Sequence, residues 1–259
     1  ELTVALHYLL NSPNDKIIWD VSHQAYTHKI LTGRKSRMLT LRKKDGLSGF
    51  TDPHESEHDF FKVGHASTAV SQALGLVVAR DLKKDDEKIV AILGDGALTG
   101  GLAYEALNNA GHTKRDLLII LNDNEMSIAP NVGAVSKYLN SVITNPLYNR
   151  VRKRVEEATA RMPRLQKLIK HAEESFKNLI VPGVLFEEMG FRYFGPLDGH
   201  DVVPLTQHLK RILNLKGPRI LHIVTKKGMG CELADKDPER LHGVAGTPAA
   251  NIESVKVEA

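Results

Sequence analysis

Hydrophobic positions along the chain follow two periods in alternation. Leu2, Val4, Ala5, Leu6, Leu9 and Leu10 fall at helical spacing, so residues 2–10 are predicted as a helix. Residues 16–21 read as a short buried strand, and residues 24–31 as a helix stopped near Gly33. Residues 34–62 mix polarities, carry Gly46, Gly49 and Pro53, and are expected to be mostly loop. A helix is predicted over 67–82, with Ser67 or Thr68 as its N-cap. The apolar run 89–93 ends in Gly94-Asp95-Gly96 and reads as a buried parallel strand. A helix over 99–110 and a second buried strand over 117–121 complete a strand–helix–strand unit. Such units place ligands beyond the carboxyl ends of their strands.

The rhythm breaks at about 128–180, a loop followed by a highly charged helical stretch interrupted near Pro163. This stretch reads as a solvated helix pair or a mobile insertion. The α/β pattern then resumes, with helix at 183–189, strand at 192–194, helix at 202–213 and strand at 219–225. The fold expected is α/β, a parallel sheet with helices on both faces. One domain is expected over 1–243, and 244–259 is small and polar, a tail or the start of a linker. The chain opens on Glu1 in mid-pattern, and is expected to be cut from something longer.

Composition narrows the function. Of 259 residues, 42% are hydrophobic, enough for a large core, while the 5% of aromatics suits an α/β protein. The formal net charge is +4 with opposite signs interleaved, and no basic stripe with aromatics appears, so nucleic acid is not an expected partner. An anionic small molecule is. The single cysteine, Cys231, excludes an intrachain disulfide and fits a reducing, cytoplasmic setting. No apolar run approaches the ~20 residues needed to span a bilayer.

The strongest chemical signal is Gly94-Asp95-Gly96-Ala97 at a strand end, with a helix following. Free backbone N–H groups there suit a phosphate, and glycines allow close approach. A dinucleotide fingerprint would need a third glycine where Thr99 stands. It would also set the Asp95 carboxylate against a pyrophosphate with nothing between them. A bridging Mg2+ resolves that repulsion, because it is commonly held by one or two carboxylates plus phosphates. The next strand end, Asn122-Asp123-Asn124-Glu125-Met126, would supply the Asn124 amide oxygen and a backbone carbonyl near Met126. Two turn-forming clusters at strand ends are the bland alternative.

This pair of strand ends resembles the metal–diphosphate motif of thiamine-diphosphate enzymes. The flanking segments resemble the 1-deoxy-D-xylulose-5-phosphate synthase family from residue 1 to about 243. They are Glu1-Leu-Thr-Val-Ala-Leu-His, Trp19-Asp-Val-Ser-His-Gln-Ala-Tyr, Gly46-Leu-Ser-Gly-Phe, Glu55-Ser-Glu, Gly64-His-Ala-Ser-Thr, Tyr104-Glu-Ala-Leu-Asn-Asn-Ala-Gly, Gly195-Pro-Leu-Asp-Gly-His and Thr225-Lys-Lys-Gly.

The resemblance implies a thiamine-diphosphate-binding fold and a transketolase-type transferase. The reaction would condense pyruvate with D-glyceraldehyde 3-phosphate to 1-deoxy-D-xylulose 5-phosphate and CO2, a precursor of isoprenoids, thiamine and pyridoxal. It assigns Asp95, Asn124 and the Met126 carbonyl to Mg2+, and the N–H groups of Gly96 and Ala97 to the diphosphate. His23, Gly64, His65, Ala66, Ser67 and Cys231 would line the cofactor. His23, His65, Lys227 and His242 would act near the diphosphate and substrate. His7, His28, His54, His112 and His171 are left as structural or exposed.

The family is also dimeric, and carries a second domain that grips the aminopyrimidine ring and supplies a glutamate. Without that domain the isolated chain is expected to be inactive, a diphosphate-binding module or one subunit of a split enzyme. Two positions depart from the family pattern, Ser22 for a glycine and Cys231 for an aromatic residue. Cys231 is expected to be a buried thiol.

Overall fold

A computed structural model describes residues 1–124, 133–134, 137–139, 183–232 and 234. Nearly all of the insertion expected at 128–180, the tail at 244–259, Met126 and His242 lie outside the described residues. The strands are β1 Lys16–Trp19, β2 Ile89–Gly94, β3 Leu118–Asp123, β4 Arg192–Asp198 and β5 Arg219–Val224. They form a parallel sheet in the order β1-β2-β3-β5-β4.

Side chains alternate between the faces of a strand, and β2 and β3 are apolar on both. Ala91, Leu93, Ile119 and Leu121 pack under α3 (Ala69–Lys83) and α5 (Gly101–Thr113). Val90, Ile92, Leu118 and Ile120 pack against α1 (Leu2–Leu9) and α7 (Val202–Leu213) on the other face. Helices thus cover both faces, as the pattern predicts. Two short helices, α2 (Tyr26–Lys29) and α6 (Val184–Glu188), join the described set.

Three local expectations are corrected. The first concerns α3, whose predicted cap by the Ser67 or Thr68 side chain is not made. The Asp20 carboxylate, from the end of β1, accepts the Ser67 and Ala69 N–H groups at 2.8 and 2.9 Å instead. Second, the helix predicted from Thr99 starts at Gly101, after a separate turn α4 (Asp95–Leu98). Gly100 is extended at the break, and a side chain there would collide with the Ser67 hydroxyl packed against it. Third, β4 runs to Asp198, past Gly195-Pro196, with a register shift between Phe194 and Leu197. An edge strand tolerates proline because one side needs no ladder donors.

Residues 34–62, read from sequence as mostly loop, are mostly loop from 41 onward. Lys35–Thr40 form a tight helical turn, and much of the remainder is held by a buried ionic cluster. The Lys29 ammonium meets Glu55, and the Arg34 guanidinium grips Asp59 at 2.6 and 2.9 Å. Asp59 also accepts from His28 Nε2 and the Asp52 N–H. His28 Nδ1 faces His7 Nε2 at 2.8 Å. Lys29 and His28 are fully buried. Burial pushes the Asp59 carboxyl up, but His28 and Arg34 outweigh it and hold the group well below the usual carboxylate range.

Candidate functional site at the carboxyl edge of the sheet

Parallel strands send all their carboxyl ends to one edge. Asp20 to His23 follow β1, Asp95 to Ala97 follow β2, Asn124 follows β3, and Lys226 and Lys227 follow β5. The loop 64–67 enters α3 at the same edge. Asp20 anchors this loop through its bonds to Ser67 and Ala69, and burial raises the Asp20 pKa. Ser67 takes the left-handed conformation with φ 72, and its hydroxyl donates to the Ala97 carbonyl at 2.7 Å. The Gly64-His-Ala-Ser and Gly94-Asp-Gly-Ala segments, predicted separately, are therefore tied to each other.

Asp95 is buried, 5% exposed. Burial first, and then the charge of Asp123 and a hydrogen bond with its carboxyl, push the Asp95 pKa up to about 7. The Gly96 N–H also reaches the Asp95 carboxyl. Asp123 is 1% exposed and meets His222 Nε2 at 3.1 Å, and His222 Nδ1 lies 2.6 Å from the Tyr193 hydroxyl. Tyr193 stacks on Phe186, ring centres 5.8 Å apart. Two adjacent buried carboxyl groups, Asp95 and Asp123, thus meet at the ends of neighbouring strands. Asn124 stands at the neighbouring strand end, directly after Asp123. Hard oxygen donors suit a divalent cation such as Mg2+.

The remaining predicted residues sort by exposure. His23 and Lys227 are half-buried, Gly96, Ala97 and Asn124 likewise, and Ser67 is buried. Gly64, His65 and Ala66 are exposed. Cys231 is exposed, which corrects the expectation of a buried thiol: among the described residues it lies in the turn after Lys227, past the end of β5. Ser22 adopts φ 70, a conformation natural to the glycine it replaces in the family pattern. Its hydroxyl accepts the Thr51 N–H at 3.0 Å and ties residues 46–62 to the turn bearing His23.

Sequence reasoning missed Asp20, Asp123, His222 and Tyr193. A signal existed for two of them. His222 interrupts the apolar strand Arg219–Val224, and strand alternation puts Asp123 on the buried face beside Leu121. Tyr193 and Asp20 carry no such mark.

Solved structures share this fold. They include transketolase from Campylobacter jejuni subsp. jejuni NCTC 11168, with TM-score 0.58 and 18% identity, over 86% of this chain and 32% of that one. Transketolase from Leishmania mexicana gives TM-score 0.54 and 17% identity, over 82% of this chain and 28% of that one. The fold is that of transketolase.

A sequence profile described as 1-deoxy-D-xylulose-5-phosphate synthase matches residues 1–225, and the chain belongs to that family of transketolase-type transferases. Among curated relatives, 1-deoxy-D-xylulose-5-phosphate synthase from Alkaliphilus oremlandii (strain OhILAs) is 54% identical over 94% of this chain and 40% of its own length. That of Heliobacterium modesticaldum (strain ATCC 51547 / Ice1) is 52% identical over 100% of this chain and 40% of its own. The chain spans about two fifths of the length of these relatives.

Proposed function

We propose that this chain supplies the Mg2+–diphosphate half of a thiamine-diphosphate site for the condensation of pyruvate with D-glyceraldehyde 3-phosphate. The product is 1-deoxy-D-xylulose 5-phosphate, with loss of CO2. The observation that carries the reading is the acid-rich pair Asp95 and Asp123 at the ends of adjacent strands, with Asp95 pushed up to about 7 chiefly by burial. A cation bridging Asp95 to a diphosphate would relieve that surplus.

Asp95, the Asn124 side chain and the Met126 carbonyl are the proposed magnesium ligands. Among the described residues no three His, Cys, Asp or Glu side chains converge on one point. The ion would therefore take further ligands from phosphate and water. Gly96 and Ala97 are the proposed N–H donors to the diphosphate, and Lys227 its cationic partner. His23, Gly64, His65, Ala66 and Ser67 form the wall beside the cofactor, with Cys231 at its rim and His242 near the substrate. His23 and His65 would orient and exchange protons with the reacting carbonyls. When bound, thiamine diphosphate supplies the electron sink for decarboxylation and carbon–carbon bond formation.

A second domain, the expected partner, would grip the pyrimidine ring and shield the reaction from water. Sites of this kind lie between domains, and the working unit is proposed to be a cytoplasmic homodimer serving isoprenoid and thiamine biosynthesis. Among the described residues no helix is long and apolar enough to cross a membrane.

Titration calorimetry of thiamine diphosphate, with and without Mg2+, tests the reading. Binding by the wild type should require Mg2+, and Asp95→Ala should abolish it. Equal binding with and without the ion sinks the proposal.

A further inference from the structure

A polar line crosses the sheet beneath the proposed metal end. Asp95 follows β2, Asp123 ends β3, His222 lies in β5 and Tyr193 in β4, so four neighbouring strands contribute one member each. Strand alternation puts Asp123, His222 and Tyr193 on one face, the face of Leu121 and Ile220. His222 is fully buried. With Nε2–H donating to the Asp123 carboxylate, Nδ1 is left to accept from the Tyr193 hydroxyl. The tyrosine is itself fixed by the stacked ring of Phe186 and by Gly183, where any side chain would run into the Tyr193 ring. The β3 end is pinned a second time, because the Thr225 N–H donates to the Asp123 carbonyl at 2.8 Å and the Thr225 hydroxyl to Asn122.

A histidine in the middle of a parallel apolar strand costs core packing, and a buried carboxylate without a donor costs more. This pair satisfies both groups, and the satisfied carboxylate is the one that touches Asp95. We propose that His222 and Tyr193 are positioning residues for the metal end: they hold Asp123 beside Asp95, and with it the strand end that carries Asn124. They touch neither metal nor cofactor, and act through Asp123. The inference rests on the reading of Asp95 and Asn124 as magnesium ligands. It adds that ligand placement is set from across the sheet, by β4 and β5.

The test measures Mn2+ affinity in the presence of thiamine diphosphate, by electron paramagnetic resonance of free Mn2+, on the intact protein. Glutamine places an amide near the position of Nε2 and can still donate to Asp123; asparagine is too short. His222→Asn should weaken Mn2+ binding about tenfold, the low end for outer partners of metal ligands. His222→Gln, which keeps the donor to Asp123 but loses the acceptor of the Tyr193 hydroxyl, should weaken binding only as much as Tyr193→Phe does. Tyr193→Phe, which loses one hydroxyl and keeps its stacked ring, should weaken binding severalfold with its unfolding midpoint little changed. A purely structural role predicts equal affinities for the asparagine and glutamine variants. That result, or unchanged binding in Tyr193→Phe, overturns the inference, and Tyr193→Phe decides alone if His222→Asn does not fold. Asp95→Ala is the control: if it binds Mn2+ like the wild type, the ligand reading itself has failed.

Discussion

The cluster around Asp59 and the line around Asp123 are both buried, yet their charges are balanced differently. Around Asp59, the cations Lys29 and Arg34 face the anions Glu55 and Asp59, and His28 Nε2 lies 2.9 Å from the Asp59 carboxylate. The Asp59 carboxyl is accordingly held well below its usual range. At the other site two carboxyl groups face each other, and Asp95 is pushed up to about 7 by burial and by Asp123. A balanced network closes on itself and fixes a loop. The pair of facing carboxyl groups is the one proposed to take a positive ion.

The contrast is broken most directly by removing a cation from the balanced cluster. Arg34→Met should destabilise the fold by about 3–5 kcal/mol in urea unfolding, because it strands the Asp59 charge in the interior. A loss below about 1 kcal/mol would show that Asp59 finds another donor or water.

The acid-rich site should answer with the opposite sign. A carboxyl with a raised folded pKa gives stability that is present below its unfolded value and lost as pH rises toward 7. Without Mg2+ at about pH 8, Asp95→Asn should therefore be more stable than wild type, by on the order of 1 kcal/mol. Near about pH 4 the difference should shrink. Thermal melts at the two values check it, and a less stable variant at the higher pH would mean the pair is not charge-strained.

A third test uses His7, whose pKa is lowered to about 4 by burial and then by the charges of His28 and His58. Its folded value lies below its unfolded one, so its stabilising contribution is present above about 6.5 and lost as pH falls through about 4. His7→Gln should flatten the acid limb of the stability profile in that window. An unchanged limb would assign it to the carboxylates.

The smallest effect is expected at Ser22. Ser22→Gly relieves the strain of φ 70 but removes the acceptor of the Thr51 N–H. Each is worth about 1 kcal/mol, so the net change should stay below that. A larger loss would show that the hydroxyl holds residues 46–62 in place.

How far the sequence foretold this depended on the kind of interaction. The strands around Val90 and Ile119 were legible because continuous apolar runs bounded by glycine and aspartate have few other readings. Asp95 and Asn124 were singled out because their residue types at two strand ends make chemical sense together, and the fold adds that those strands are neighbours. The Asp20 cap was not, since its partners Ser67 and Ala69 lie 47 and 49 residues away. The ionic cluster at 28–59 escaped for a related reason: a polar stretch looks like solvated loop until its charges find each other. The cofactor roles of His23, His65 and Lys227 came from the family resemblance, and the fold adds only their place at one edge.

The Asp20 anchor has a consequence for local motion. Two backbone amides of the loop entering α3, those of Ser67 and Ala69, donate to a carboxylate that is 1% exposed, while His65 and Ala66 just before them face solvent. Opening the inner half of this loop must break both bonds and uncover a buried acid; opening the outer half breaks neither. Amide hydrogen exchange should therefore step sharply between Ala66 and Ser67. The loop is best pictured as a short flap on a fixed hinge: its histidine end samples solvent, while its serine end keeps time with the core.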